Sequence, residues 1–413
     1  MAKATEHNVQ WKTVKFDQFF DMLPTNTLSR DKLNNQRGEY QNIHYGDVLI
    51  KYPYCLDCNV NDIPYINEGV RFNTAQVKNG DVIFADTAED DTVGKCVEVL
   101  NVGGRKIVSG LHTYFCRPKH EMAPGYLGYF LNSNHFHNQL LPYIAGSKVS
   151  SVNRTSIART FILYPESLPA QRRIAAILSS ADKVIASTQK VIAKYKQMKQ
   201  GMMEDLLKPK EGWKMVRLGE CCEINPKTDT TKVQDYDVVA FIRMEDVSND
   251  GFITSFSERA YKSLQKKGFT VFQNDDVIFA KITPCMENGK GGLVRNMKSK
   301  ICMGSTEFHV LRACANVSTD FIYQLTISKR FRQKAEMQMT GSAGQQRVPA
   351  AFLEDYFISI PFKNGVPDLA EQRRIAAILS GIDAKIAAEE TVLEKYEKVK
   401  KGMMERLLNE KNE

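Results

Sequence analysis

"QRRIAAILSSADKVIASTQKVIAKYKQMKQGMMEDLL" occupies residues 171–207, and 201 residues later the chain repeats itself as "QRRIAAILSGIDAKIAAEETVLEKYEKVKKGMMERLL" at residues 372–408. In the first copy Ile174, Leu178, Ala181, Ile185, Thr188, Ile192, Tyr195, Met198, Met202 and Leu206 recur in steps of three and four. The second copy reads Ile375, Leu379, Ile382, Ile386, Leu393, Tyr396, Val399, Met403 and Leu407, broken only at Glu389. This heptad-like seam predicts long helices packing at a shallow angle. Pro169 suits a first turn and Pro209 closes the first helix. At ~1.5 Å per residue, Ala170–Leu207 spans roughly 57 Å. An apolar seam of that length needs a partner, and the other copy is the obvious one.

The regions before the helices repeat more faintly. "GDVIFADTAEDDTVGK" from Gly80 matches "DDVIFAKITPCMENGK" from Asp275, and "AGSKVSSVNRTSIARTFILYP" from Ala145 matches "TGSAGQQRVPAAFLEDYFISIP" from Thr340. Both matches hold at an offset of 195 residues, which Phe136 and Phe331 share, and "WKTVKF" from Trp11 is echoed by "WKMVRL" from Trp213. The order is therefore domain, helix, domain, helix, with expected segments 1–168, 169–208, 209–368 and 369–413. Runs such as "DVIFA" and "EFHVL" predict strands, and "GYLGYFLNSNHFHNQL" short amphipathic helices. The expected class is α+β: two globular α/β domains joined by two long antiparallel helices in a coiled coil, with internal pseudo-two-fold symmetry.

A chain of 413 residues can bury two or three cores. It has no apolar run of about 18 residues, and "MAKATEHNVQWKTVKF" lacks the apolar stretch of a secretory signal, which predicts a cytoplasmic protein and no membrane partner. Nine cysteines without a framework fit free thiols in a reducing compartment. The net charge of +8 is unevenly spread. Ala170–Lys210 carries nine Lys or Arg against three Asp or Glu, whereas Leu369–Glu413 carries nine of each. The first helix could thus face a polyanion or an acidic protein, or simply present a solvated face.

Catalytic patterns are missing. Cys55 and Cys58 form a CxxC, but no second pair stands at zinc-ribbon spacing, and His112 and Cys116 serve equally as core residues. "NGKGG" at residues 288–292 lacks the remaining P-loop positions. "YPYC" at Tyr52 is not the Asn/Asp-Pro-Pro-Tyr/Phe that grips a flipped base. The acid pairs Asp90/Asp91 and Asp275/Asp276 lack the Glu-x-Lys of a metal-dependent nuclease strand. The expectation is a protein that catalyses nothing and holds no metal or cofactor.

A duplicated half in which a divergent globular domain precedes a helix opening in "QRRIAAIL" resembles the specificity subunit of type I restriction-modification systems. The resemblance covers nearly the whole chain. Its most specific marks are "LPAQRRIAAIL" at Leu168–Leu178 and "LAEQRRIAAIL" at Leu369–Leu379, each departing at one position from the family's Pro-Glu-Gln-Arg-Arg-Ile. "ITPCMENGKG" at Ile282–Gly291 and the Gly-Ser loops at Gly146 and Gly341 are also similar to the family's target-recognition domains. The resemblance implies one half of a bipartite double-stranded DNA target per domain, and helices that set the spacer and dock two methyltransferase subunits. It also implies restriction subunits in the full complex, with S-adenosylmethionine carried by the methyltransferase. A non-enzymatic coiled-coil adaptor for protein or glycan is the alternative.

Reading bases takes Arg, Lys, Asn, Gln, Ser and Thr side chains. Loops of that composition at matching places nominate Gly146, Ser147, Lys148, Ser150, Ser151, Asn153 and Arg154 in the first half, and Gly341, Ser342, Gln345, Gln346 and Arg347 in the second. The glycines are expected to allow close backbone approach. Loops after the "VIFA" strands add Thr92 and Lys95, and Lys281, Thr283, Asn288 and Lys290. Arg172, Arg173, Arg373 and Arg374 either contact phosphate or methyltransferase, or cap the helices by pairing with acids.

Overall fold

The computed structural model describes residues 9–90, 92–146, 149–265, 267–342 and 344–409. The chain divides into two compact units, one formed by Met1–Gln189 with Thr391–Glu413, the other by Lys190–Glu390. Each unit takes part of both long helices, Leu168–Leu206 and Leu369–Leu407.

In the first unit, "VIFA" at Val82–Ala85 is buried along its whole length, as a continuous apolar run in a central strand must be. It lies between Thr113–Pro118 and Cys96–Leu100 in a five-stranded sheet completed by Phe20–Leu23 and Cys55–Asp57, all antiparallel but for the last pair. A smaller sheet orders Ile107–Ser109, Gln41–Ile43, Tyr65–Ile66 and Leu33–Asn34. The opening strand Trp11–Lys15 pairs antiparallel with Phe161–Pro165, the strand that feeds the first long helix.

The second unit repeats the plan. "DVIFA" at Asp276–Ala280 is again fully buried, flanked by Phe308–Ala313 and Gly291–Leu293, and Trp213–Arg217 pairs with Phe357–Lys363. Buried polar anchors repeat with the strands. Arg117 grips Asp81 by Nε at 2.8 Å and Nη2 at 2.7 Å, and Arg312 grips Asp276 at the same two distances. Such bidentate pairs repay the desolvation of a nearly inaccessible carboxylate.

The repeated glutamine explains how helix and globule are spliced. Gln171 is buried, donating Nε2 to Pro165 O at 2.8 Å and accepting Ala123 N–H at 2.8 Å. Gln372, also buried, accepts Ser318 N–H at 2.8 Å. Sequence reading singled out the arginines beside these residues and missed the glutamines, whose burial no spacing announces.

The helix seam departs from a strict heptad. Ile174, Leu178, Thr188, Ile192, Ile375, Leu379, Ile382 and Ile386 are buried as expected. Further along, Met198 and Val399 are 44% and 52% exposed, and their neighbours Lys199 and Lys400 turn inward instead. Met203 and Met404 are buried more deeply than Met202 and Met403. A helix of 3.6 residues per turn drifts by ~20° per heptad against a 3.5-residue repeat, so after three heptads the heptad position stands roughly 60° off the seam and the residue after it, at about 40°, lies nearer. Among the described residues no helix is long and apolar enough to cross a membrane.

Candidate nucleic-acid interface

The two sets of nominated loops, more than 50 residues apart in sequence, are zipped together in each unit. In the first, Thr87–Ala88 pairs antiparallel with Ser150–Ser151, and Val152 N–H donates to Asp86 O at 3.0 Å. Ala145 and Ser151 exchange backbone hydrogen bonds of 3.0 and 2.8 Å, closing a hairpin. Gly146 turns at its tip with φ of 127°, and a Cβ there would fall 1.9 Å from Val149 O. In the second unit Thr340 and Arg347 exchange the equivalent bonds at 3.0 and 2.8 Å. Gly341 has φ of 134°, and a Cβ would lie 2.6 Å from Gln345 O. Thr283 N–H donates to Gln346 O at 3.0 Å, Gln346 N–H to Thr283 Oγ1 at 3.1 Å, and Val348 N–H to Lys281 O at 2.9 Å. Both glycines are thus demanded by the hairpin itself, the left-handed conformation excluding other residues, whatever approaches from outside.

Several nominated side chains have work inside the fold. Lys95 Nζ donates to Leu49 O at 2.7 Å, and Lys290 Nζ to Met244 O at 2.8 Å, donors and acceptors both standing 195 residues apart. Burial lowers the Lys95 ammonium below its ordinary pKa. Asn153 caps the short helix Arg154–Ile157 through a 2.8 Å bond from Ser156 N–H. Arg347 holds Glu307 by Nε and Nη2, both at 2.9 Å, and donates Nη1 to Gln345 O at 3.3 Å. The guanidinium in turn holds the Glu307 carboxyl below its usual pKa.

The exposed remainder is Ser151, Arg154, Ser342, Gln345, Thr92 and Asn288, with Ser150, Lys281, Thr283 and Gln346 half-buried beside them. Arg154 leans back to donate Nη2 to Met22 O at 3.2 Å, and Thr92 bonds Asp90 through N–H and Oγ1. Ser147 and Lys148 lie outside the described residues. The units differ beneath the loops: Asp86 faces His112 at 3.4 Å in the first, where the second has Lys281 and Glu307 at the same offset. Edges rich in amide, hydroxyl and guanidinium groups can donate to and accept from base edges.

At the helix starts Arg172, Arg173 and Arg373 are exposed, while Arg374 grips Glu371 by Nε at 2.6 Å and Nη2 at 2.7 Å. The first copy has Ala170 where the second has Glu371, so Arg173 has no such acid. Among the described residues no three His, Cys, Asp or Glu side chains gather as metal ligands.

The family model for the type I restriction modification DNA specificity domain matches twice, at residues 8–197 and 210–398. Over 168 residues the chain is 40% identical to the type I restriction enzyme EcoAI specificity subunit of Escherichia coli, covering 40% of this chain and 27% of that one. Over 177 residues it is 36% identical to the EcoEI specificity subunit of the same organism, covering 41% and 27%. The matched stretch therefore spans about a quarter of each relative's length. A chain from a solved structure on complex assembly and conformational transition of the type I R-M system shares the fold, with a TM-score of 0.57, 16% identity and 98% of both chains covered.

Proposed function

The chain belongs to the type I restriction modification DNA specificity family, and from that premise we propose that it reads a bipartite double-stranded DNA target, one half per globular domain, without catalysing a reaction. The observation that carries this reading is the convergence, in each unit, of a glycine-tipped polar hairpin with the loop after the central buried strand. Two such surfaces of different composition suit two different half-targets. The domains are taken as residues 1–168 and 209–368, with helices at 169–208 and 369–413 acting as spacer and as docking surface for two methyltransferase subunits. S-adenosylmethionine binds to those partners, restriction subunits join the assembly, and the complex works in the cytoplasm.

The test is selection from double-stranded DNA with randomised sequence, using the full chain and a chimera whose residues 1–160 come from a relative. One half of the selected sequence should change while the other stays. If both halves change together, the domains do not read independently. If neither chain selects a sequence, and retention on DNA does not fall steeply with salt, an adaptor for protein or glycan becomes the better reading.

A further inference from the structure

The second unit contains a buried guanidinium that no carboxylate accompanies among the described residues. Arg332 lies in the helix Lys329–Glu336 and is only 7% exposed. Its Nε donates to Thr326 O at 2.7 Å, Nη1 to Met286 O at 3.2 Å and Lys290 O at 3.3 Å, and Nη2 to Gly289 O at 3.2 Å and Lys290 O at 3.3 Å. The group also lies 5.4 Å from the centre of the Phe279 ring. Burial pulls its pKa down to about 10, still leaving it charged at neutral pH. Burying a cation is costly unless every donor is satisfied, and here backbone carbonyls alone satisfy it. Three of the four carbonyls belong to one loop, Thr283–Lys290, whose outer side carries the nominated Thr283 and Asn288.

The surroundings are shaped around this clamp. A Cβ on Gly291 would lie 2.9 Å from Arg332 Nη2, and one on Gly289 would lie 2.5 Å from Asn249 O. Thr283 is bonded to the backbone of Gln346, so the loop held from within by Arg332 also supports the glycine hairpin beside it. At the same offset of 195 residues the first unit has His137, half-buried, which offers at most two donors.

We propose that Arg332 is a positioning residue for recognition of the second half-target, fixing the Thr283–Lys290 loop in its reading geometry without touching DNA. This rests on the DNA-reading assignment above. A planar fork bridges carbonyls on both sides of the loop, which the single ammonium of lysine cannot do. The dependence is therefore on shape rather than on charge.

The experiment compares the full chain with Arg332→Lys, which keeps the charge, and Arg332→Met, which removes it. Amide exchange across Val277–Phe279 reports whether the sheet is intact. In both variants exchange at Asn288, Gly289 and Lys290 should rise on the order of tenfold or more, as local opening becomes easier. In selection from randomised double-stranded DNA, preference within the second half-target should fall on the order of tenfold per base pair, with the first half unchanged. Unchanged loop exchange with both half-targets retained would overturn the proposal, as would equal loss of both halves in a chain with an intact sheet. A wild-type chain that selects no sequence would instead remove the DNA reading, and this proposal with it.

Discussion

Lys199 Nζ stands 2.5 Å from Asp383 Oδ1, joining the two long helices within the second unit, and both groups are largely inaccessible. The same pair returns in the first unit as Lys400 and Asp182, each partner displaced by 201 residues. There the ammonium also lies 3.7 Å from the centre of the Tyr54 ring, and Tyr129 Oη donates to Asp182 Oδ2 at 2.6 Å. A buried ion pair seldom adds net stability over an apolar pair, but it fixes register, because any slip leaves two charges unpaired.

Asp383→Asn should therefore destabilise the second unit by about 3 kcal/mol, since Lys199 is left buried without its anion. Adding Lys199→Met should recover most of that loss. Denaturant melts of the single and double variants measure the coupling, and additive losses would show that the two side chains act separately.

The far end of the second helix is part of the first unit's core: Met404 and Leu408 pack in the same cluster as Phe136, Leu140 and Leu178. Leu408→Ala should cost about 2–4 kcal/mol, as for other leucines truncated in a core. Amide exchange should accelerate in Tyr126–Leu131 and Asn134–Leu140, two helices of that unit. A loss confined to fraying of the last helical turn would count against this packing.

Glu98 is fully buried, accepting N–H groups of Gly125 and Gly128 at 2.8 Å each, and burial pushes its pKa up to about 7. A folded value above the unfolded 4.5 means that the native state holds the proton more tightly. The favourable contribution is complete below pH 4.5 and is lost as pH rises through about 7. The swing amounts to about 3 kcal/mol at most. Glu98→Gln should flatten this dependence, so the stability difference between wild type and variant should change between pH 5 and 8. A difference independent of pH would contradict it.

Gln345 is exposed at the tip of the second hairpin, whereas three of the five N–H donors of Arg347 are directed to Glu307 and a carbonyl. Gln345→Ala should relax discrimination at one base pair by about 1–3 kcal/mol while leaving thermal unfolding unchanged. Arg347→Ala should instead lower the unfolding temperature along with second-half discrimination, because it releases Glu307. If Arg347→Ala alters a single base preference in a chain of unaltered stability, Arg347 reads DNA directly.

The duplication, the two long helices, the buried "VIFA" strands and the divergence of the globular halves were legible in the residues alone. Each is a local pattern: a period of three and four, an apolar run, a match at fixed offset. The same one-dimensional information nominated the Gly146 and Gly341 loops and those after the strands. It could not say that these loops are zipped together, because hydrogen bonds between Thr283 and Gln346 cross more than 60 residues of chain. Nor could it separate Lys95 and Lys290, turned onto carbonyls, from lysines free to meet a phosphate, since composition is blind to side-chain direction. The inward turn of Lys199 and Lys400, the clamp of Arg332 and the splice made by Gln171 and Gln372 were likewise decided by tertiary structure. A polar side chain is costly to bury unless distant groups arrive to satisfy it, and where they arrive is a property of the folded chain.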